Sequence, residues 1–441
     1  MKKLSFKGGL HIYDGKEFSK GNKTIEYFPK GEMVYPLSQH IGAPSIPIVE
    51  KGESVVAGQM IARANGFVSA PIFATISGNV KVIEKRRVAS GDLVDSIIID
   101  NDLEYREATF KKPKSYTEMT REEIIMIVQT AGIVGMGGAG FPTHVKLSPK
   151  EPDKIEYIII NCAECEPYLT SDYRRMLEEP EKIYEGLKIL LHLFKNAKGI
   201  IAIEDNKRDC IDIFKEITAN DNRVITATLK TNYPQGSERQ LIYATTKRAI
   251  NSSKLPSDVG CIVQNADTTV AIYNAIVEGR PLLNRIVTVT GNGISKPCNF
   301  RVRMGTSYSE LIEEAGGFVG VPGKVISGGP MMGIALFDTD IPIVKTSSAI
   351  LVLAEDDVSK SKVTACINCG KCVEVCPSRL VPSRLSKLAD NYRGDEFAKE
   401  YGMECMECGC CSYVCPAKRQ LAQSIKSMKK IELARAKAKA K

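Results

Sequence analysis

Apolar residues in this chain recur first at short, glycine-punctuated intervals, then in strand-length runs that alternate with helical stripes. From Val49 to Ile61, and again through Ala70-Pro71 and Ser77-Gly78-Asn79-Val80, apolar positions sit beside regular glycine turns. This predicts a small all-β sandwich over residues 1–115. From 116 to 290 the period changes. Helical spacing covers Glu122–Thr130, Glu181–Lys195 and Arg208–Thr218, while Ile155–Ile160, Ile200–Ile203 and Val224–Leu229 read as buried strands. Such alternation predicts a parallel, doubly wound sheet whose ligands sit at the carboxyl ends of the strands. Asn161, Glu204 and the Lys230–Gly236 segment mark the expected rim of a pocket. Residues 291–355 read as a β-rich module with one helix, Tyr308–Ala315, and glycine turns at 316–317 and 328–333. Residues 356–418 carry two cysteine motifs separated by a helical stretch, Arg384–Lys399, and residues 419–441 form a basic tail. The fold class is multidomain α/β.

Cysteine spacing adds the first chemistry. Cys366, Cys369, Cys372 and Cys376 precede Pro377, and Cys405, Cys408, Cys411 and Cys415 precede Pro416. Both runs read C-x2-C-x2-C-x3-C-P, the pattern that holds paired [4Fe–4S] clusters. A cubane needs four thiolates; one tight loop supplies three, and the fourth comes from the other motif. Cys366, Cys369, Cys372 and Cys415 are therefore expected on one cluster, and Cys405, Cys408, Cys411 and Cys376 on the second. Structural zinc usually spaces two cysteine pairs well apart, without a third cysteine and a trailing CP, so the spacing favours clusters. The other six of the 14 cysteines, Cys162, Cys165, Cys210, Cys261, Cys298 and Cys410, read as reduced thiols suited to a reducing compartment.

Charge and hydropathy narrow the setting. The start, Met1 to Phe6, has no apolar core or cleavage site for export, and no apolar run approaches a bilayer span. From Lys418 onward there are nine basic residues and one acid, which accounts for the whole net charge of +8. That tail reads equally as a solvated helix end or as a contact with anionic lipid or an acidic partner. Without interleaved aromatics, and with a neutral body, nucleic acid is not an expected partner.

Gly135-Met136-Gly137-Gly138-Ala139-Gly140-Phe141-Pro142 is the second chemical signal. Glycines let backbone N–H groups approach a phosphate or flat ring without Cβ obstruction. The loop follows a helix, so it is not the usual dinucleotide fingerprint, and alone it reads equally as a packing turn. Lys146 lies shortly after it, and Asn161-Cys162-Ala163-Glu164-Cys165-Glu166-Pro167 closes the next strand. Cradle, cation and polar strand end together suit a phosphorylated, hydrogen-bonding cofactor such as FMN. Cys162 and Cys165 read as packed thiols, and His11, His40, His144 and His192 have no metal-ligand spacing.

These motifs, with Phe6–His11, Pro36–Pro44, Tyr233–Leu241 and the twin cysteine runs, resemble the FMN- and NADH-binding subunit of respiratory complex I. They are more similar still to the C subunits of Rnf ion-translocating electron-transport complexes. The resemblance implies a carrier-like (lipoyl-type) sandwich over 1–115 and a Rossmann-like FMN/NADH domain over 116–290. It implies a β-grasp, soluble-ligand-binding module over 291–355 and a ferredoxin domain over 356–418. It places Gly135, Gly137, Gly138 and Gly140 against FMN, Lys146 at its phosphate or ring, and Asn161 in a hydrogen bond to the flavin. Glu164 and Glu166 match the acidic pair beside flavin and nicotinamide, Gly236 and Glu238 a second glycine–acid element, and Asn265 the flavin phosphate end. Ser237 stands where complex I carries an acid. The implied activity is hydride exchange between NAD(H) and FMN, then one-electron transfer through two [4Fe–4S] clusters. It would serve a ferredoxin:NAD oxidoreductase coupled to sodium or proton transport. The implied partners are the other Rnf subunits, with ferredoxin reached through them, at the cytoplasmic face of the inner membrane. A cobalamin reductase of bacterial microcompartments and a flavin-less electron-transfer adaptor stay open as alternatives.

Overall fold

The computed structural model describes residues 3–439. Its N-terminal strands are short because glycine and proline interrupt them: β1 (Ile25–Tyr27), β2 (Met33–Pro36), β3 (Ile46–Pro47), β4 (Ser54–Val55), β5 (Met60–Arg63), β6 (Ile72–Phe73), β7 (Gly78–Arg87) and β8 (Leu93–Asn101). A four-stranded sheet, β2-β8-β7-β4, and a three-stranded sheet, β3-β5-β6, share one core built on Met33, Tyr35, Ile61, Ile72, Ile97 and Ile99. β1 leaves this module. It pairs in parallel with a strand near residue 300, Ile25 opposite Phe300.

The second region contains α1 (Arg121–Thr130), α2 (Thr143–Lys146), β9 (Tyr157–Cys162), α3 (Ser171–Glu178), α4 (Pro180–Leu193), β10 (Lys198–Glu204), α5 (Arg208–Ile217), β11 (Val224–Leu229), α6 (Glu238–Thr246), β12 (Cys261–Asn265) and α7 (Ala266–Tyr273). The four strands form an all-parallel sheet in the order β11-β10-β9-β12. Ile158, Ile159 and Ile160 are fully buried, as expected for a strand covered on both faces. The chain steps from β9 outward through β10 to β11, then returns to place β12 on the other side of β9. That reversal is a topological switch point, where the crevice at the strand ends admits a ligand. Asn161 and Asn265 are register partners at that point. Glu204, expected on the same rim, is not. It sits at the end of β10, buried, accepting from the Asn232 amide at 3.3 Å and lying 3.6 Å from Lys207 Nζ.

The third region holds β13 (Asn284–Thr290), β14 (Cys298–Arg303), α8 (Tyr308–Glu314), β15 (Lys324–Ser327), β16 (Ile334–Leu336) and β17 (Ala349–Leu353). With β1 they form a six-stranded sheet, β1-β14-β13-β17-β15-β16. The sheet therefore starts at Asn284, ahead of the expected 291, and borrows a strand from the N-terminal stretch.

The last region has α9 (Asp357–Lys360), α10 (Lys371–Glu374), α11 (Pro382–Asp390), α12 (Gly394–Lys399), α13 (Cys410–Tyr413) and α14 (Leu421–Lys439). The single helix expected over Arg384–Lys399 is broken: Tyr392 takes φ 55°. A Cβ at Gly394 would run into Glu432 of α14, so the chain turns there under that helix. Leu421, Ile425 and Met428 are buried, the latter two in one core with Leu385 and Leu388 of α11. The expected tail at 419–441 is thus partly a packed helix, and its residues 433–438 are all exposed. Lys441 lies outside the described residues. No helix among the described residues is long and apolar enough to cross a membrane.

Candidate functional site

A cavity of about 2070 Å³ opens over the carboxyl ends of β9 and β12. Gly135, Gly137, Gly138, Gly140, Lys146, Asn161, Glu164, Glu166, Gly236, Glu238 and Asn265 all line it. The sequence-predicted residues of the second region therefore converge on one space. Its glycine loop is pinned at both ends. Gly135 N–H donates to the Phe141 carbonyl at 2.9 Å. Met136 N–H donates to Thr268 Oγ1 at 2.9 Å, and the Met136 carbonyl accepts from Arg285 Nη2 at 3.0 Å. At Gly138 a Cβ would meet no protein atom, so the backbone there is bare toward the cavity. Gly140 has φ +68° and a Cβ there would press on Thr346 at 2.7 Å, so this position needs glycine for the fold itself.

Hydrogen-bonding groups fill the floor. Asn161 Nδ2 donates to the Gly236 carbonyl at 2.8 Å, and its Oδ1 accepts from the Ala163 amide at 3.2 Å. Asn265 caps α7 through Oδ1, which accepts from the Asp267 and Thr268 amides, while its Nδ2 donates to Asp172 at 2.7 Å. Lys146 Nζ bonds Glu238 at 2.9 Å and the Val263 carbonyl at 3.3 Å. Gln264 Nε2 is buried, belongs to a residue lining the cavity, and has no protein partner. Bare backbone at Gly138 and a cation at Lys146 fit a flat, phosphorylated cofactor.

The two acids are more constrained than their motif suggests. Glu164 accepts from the Asp172 and Tyr173 amides at 2.7 and 3.3 Å, anchoring the start of α3, and pairs with buried Lys16 at 3.6 Å. Glu166 accepts from the Met331 and Met332 amides at 2.8 and 3.1 Å. Those amides belong to the 328–333 turn, where a Cβ at Gly329 would collide with Glu166. Burial first raises the Glu166 carboxyl above its usual range, and the two amides oppose that. Asp172, also on the cavity wall, is pushed up to about 7 by burial, then by the Glu164 charge.

Asp172 and Lys16 were not legible in the sequence as site residues. The Thr170-Ser171-Asp172 start of α3 carries a helix-entry signal, but nothing marks Lys16. Cys162 is buried in the sheet core, as expected of a packed thiol, whereas Cys165 reaches the cavity and accepts from Gly236 N–H at 3.2 Å.

The cysteine motifs interleave. Cys366, Cys369, Cys372 and Cys415 line a second, smaller cavity beside Ile367 and Arg419. Cys376 is drawn toward the other loop. Burial, then the charges of Cys408, Cys405 and Cys376, push the Cys411 thiol up to about 12. Burial likewise pushes Cys405 up to about 11. Crowded, buried thiols of this kind ionise against a cationic centre, which is the donor chemistry a cluster requires. Among the described residues, no three Cys, His, Asp or Glu side chains converge tightly enough to share one metal ion. Cys408 also lines the large cavity, so the second cysteine set reaches the same space as the glycine loop.

Four family models match the chain. They are the RnfC barrel sandwich hybrid domain over 4–104, the Nuo51 FMN-binding domain over 128–274, the SLBB domain over 286–335 and the 4Fe-4S dicluster domain over 365–418. The chain is 44% identical over 428 residues to the C subunit of the Na(+)-translocating ferredoxin:NAD(+) oxidoreductase complex of Acetobacterium woodii, covering 97% of this chain and 96% of that one. It is 44% identical over 429 residues to the C subunit of the proton-translocating ferredoxin:NAD(+) oxidoreductase complex of Clostridium ljungdahlii, covering 96% and 93%. Among solved structures, an NAD+-reducing [NiFe]-hydrogenase in the air-oxidised state aligns with TM-score 0.49 and 19% identity, over 64% of this chain and 54% of that one.

Proposed function

Because the chain belongs to the family of C subunits of ion-translocating ferredoxin:NAD+ oxidoreductase complexes, we propose that its large cavity is where hydride exchange with NAD(H) meets one-electron transfer. The chain is an oxidoreductase subunit with FMN and two [4Fe–4S] clusters as cofactors. FMN exchanges two electrons with a nicotinamide and one at a time with a cluster; the protein supplies position, electrostatics and exclusion of water. One observation carries the reading: Cys408 and the glycine loop line the same cavity.

In this reading Gly135, Gly137, Gly138 and Gly140 cradle the flavin, Asn161 turns the second N–H of its amide to it, and Gly236 lines the pocket beside it. Asn265 shapes the loop through its packing against Gly137. Lys146, held by Glu238, supplies positive charge to the phosphate or ring. Glu166 lies on the nicotinamide side. Glu164 is assigned to holding α3 and Lys16 rather than to the reacting atoms, since both its oxygens are engaged. Hydride transfer itself requires no side-chain acid or base.

The architecture that goes with this function is a carrier-like sandwich, a Rossmann-like sheet, a β-grasp module and a ferredoxin domain, with divisions near 115, 283, 355 and 418. The chain would sit peripherally on the cytoplasmic face of the membrane, against other members of the complex. Relatives named for sodium and for proton translocation are equally similar to it, at 44% identity, so the choice of ion is assigned to other polypeptides of the complex. These relatives set the reading above a microcompartment cobalamin reductase.

The test is anaerobic reconstitution of the full chain, followed by NADH-dependent reduction of an artificial acceptor. Stoichiometric FMN, about eight iron atoms and NADH turnover are expected. Glu166→Gln should raise KM for NADH several-fold while FMN stays bound. A folded chain that never retains flavin would sink the proposal.

A further inference from the structure

Tyr233 belongs neither to the glycine cradle nor to the cysteine sets, yet it stands between them. Its ring is 3% exposed and packs with Cys408, Cys410, Cys165, Met331 and Met406. Its hydroxyl donates to the Cys408 carbonyl at 2.9 Å, and the same side chain lines the large cavity and lies against Glu166. Its backbone is fixed from the opposite side, because the Tyr233 N–H and carbonyl pair with Leu10 at 2.7 and 2.8 Å. The cysteine loop is held at a second point, where a Cβ at Gly409 would stand 3.0 Å from the Met331 carbonyl. Met331 is in turn bound to Glu166 through its amide. A buried ring, a directed hydroxyl and a clamped turn thus join the nicotinamide-side carboxylate to the loop bearing Cys405, Cys408 and Cys411.

We propose that Tyr233 is a positioning residue that holds the Cys408 loop against the flavin cavity and raises the reduction potential of the cluster on that loop. The hydroxyl places the positive end of its O–H dipole on the peptide of a cluster ligand. In a buried, water-poor setting such a dipole stabilises the more negative, reduced cluster. The inference rests on the reading of Cys376, Cys405, Cys408 and Cys411 as cluster ligands.

The experiment is an EPR-monitored redox titration of the reconstituted full chain and of Tyr233→Phe, which keeps the ring and removes only the donor. Iron content, FMN content and the signal of the Cys366-set cluster should match wild type. The Cys405-set cluster should become tenfold easier to oxidise, 59 mV lower for a one-electron couple. Placing 3-fluorotyrosine at 233 strengthens the donor and should shift the same cluster the opposite way. A Cys405-set potential unmoved in both variants, or equal shifts of both clusters, would overturn the proposal. If Tyr233→Phe does not retain iron, the fluorotyrosine protein decides: an upward shift supports the proposal, and none overturns it. A wild-type chain that takes up no iron overturns the ligand reading itself, and is distinguished because neither cluster signal appears.

Discussion

Gly137 and Gly138 are adjacent, but their side-chain positions face different things. A Cβ at Gly137 would meet Asn265 at 2.9 Å, while one at Gly138 would meet only the cavity. Gly138→Val should therefore leave the melting temperature and iron content near wild type while FMN is lost, read as the flavin-to-iron ratio. Gly137→Val should destabilise the protein itself by roughly 1–3 kcal/mol through overpacking, seen in denaturant melts without flavin. A second residue-scale prediction concerns Asp172, held at about 7 chiefly by burial. Between the ordinary 3.8 and pH 7 the folded chain keeps a proton that the unfolded chain has released. The stability linked to that proton is complete below pH 3.8 and is lost as pH rises through about 7. Asp172→Asn should flatten the fall in unfolding free energy across that window, by an amount on the order of a few kcal/mol. Parallel curves for the two proteins would show that Asp172 titrates normally.

At the scale of elements, the cysteine loops make the sharpest prediction. Cys376 follows the first motif's helix, α10, but shares its surroundings with Cys405, Cys408 and Cys411. Cys376→Ser should damage the cluster of the second loop and leave the other, lowering iron toward about four per chain. Damage confined to the Cys366 loop would refute crossed ligation. Spacing alone suggests this crossing; α4, α5, β10 and β11 were legible in the sequence because each carries a run of one period. The elements that escaped are those whose reason lies elsewhere in the chain. α3 is eight residues long and buries Arg174 and Arg175, so its short apolar set, Tyr173, Met176 and Leu177, is outweighed by charge in the sequence. Arg175 is stable there because Asp267, on α7, meets it at 2.7 Å. The break between α11 and α12 falls where Tyr392 takes φ 55° and Gly394 passes close under Glu432 of α14, a contact that local propensity does not register. Glu204 was misplaced on the pocket rim because every strand end looked equivalent until the sheet order located the switch point beside β9.

At the scale of the whole molecule, Lys345 ties three regions together. It is 0% exposed, and its Nζ donates to the Pro71 and Gly132 carbonyls at 2.6 and 2.7 Å. Its backbone amide donates to Gln39 at 3.1 Å, and its carbonyl accepts from Arg285 at 2.6 Å. Burial alone lowers the ammonium to about 7 from 10.5. The unfolded chain then binds one more proton than the folded one between those values, so this residue makes stability rise with pH there. Lys345→Met should destabilise by roughly 1–3 kcal/mol for each carbonyl left unpaired. Its deficit should widen from pH 7 toward pH 10 in denaturant melts; a deficit independent of pH would mean that Lys345 stays charged in the fold. A different kind of consequence follows from β1. Its register partners on β14 lie some 275 residues further along the chain, and ribosomes add about 5–20 residues per second. Ile25 therefore emerges roughly 15–55 s before Phe300 exists. Through that interval the six-stranded sheet has an edge strand but no sheet. The third region's nascent strands must recruit a segment already neighboured by a finished sandwich, so assembly of this chain is ordered by synthesis as much as by stability.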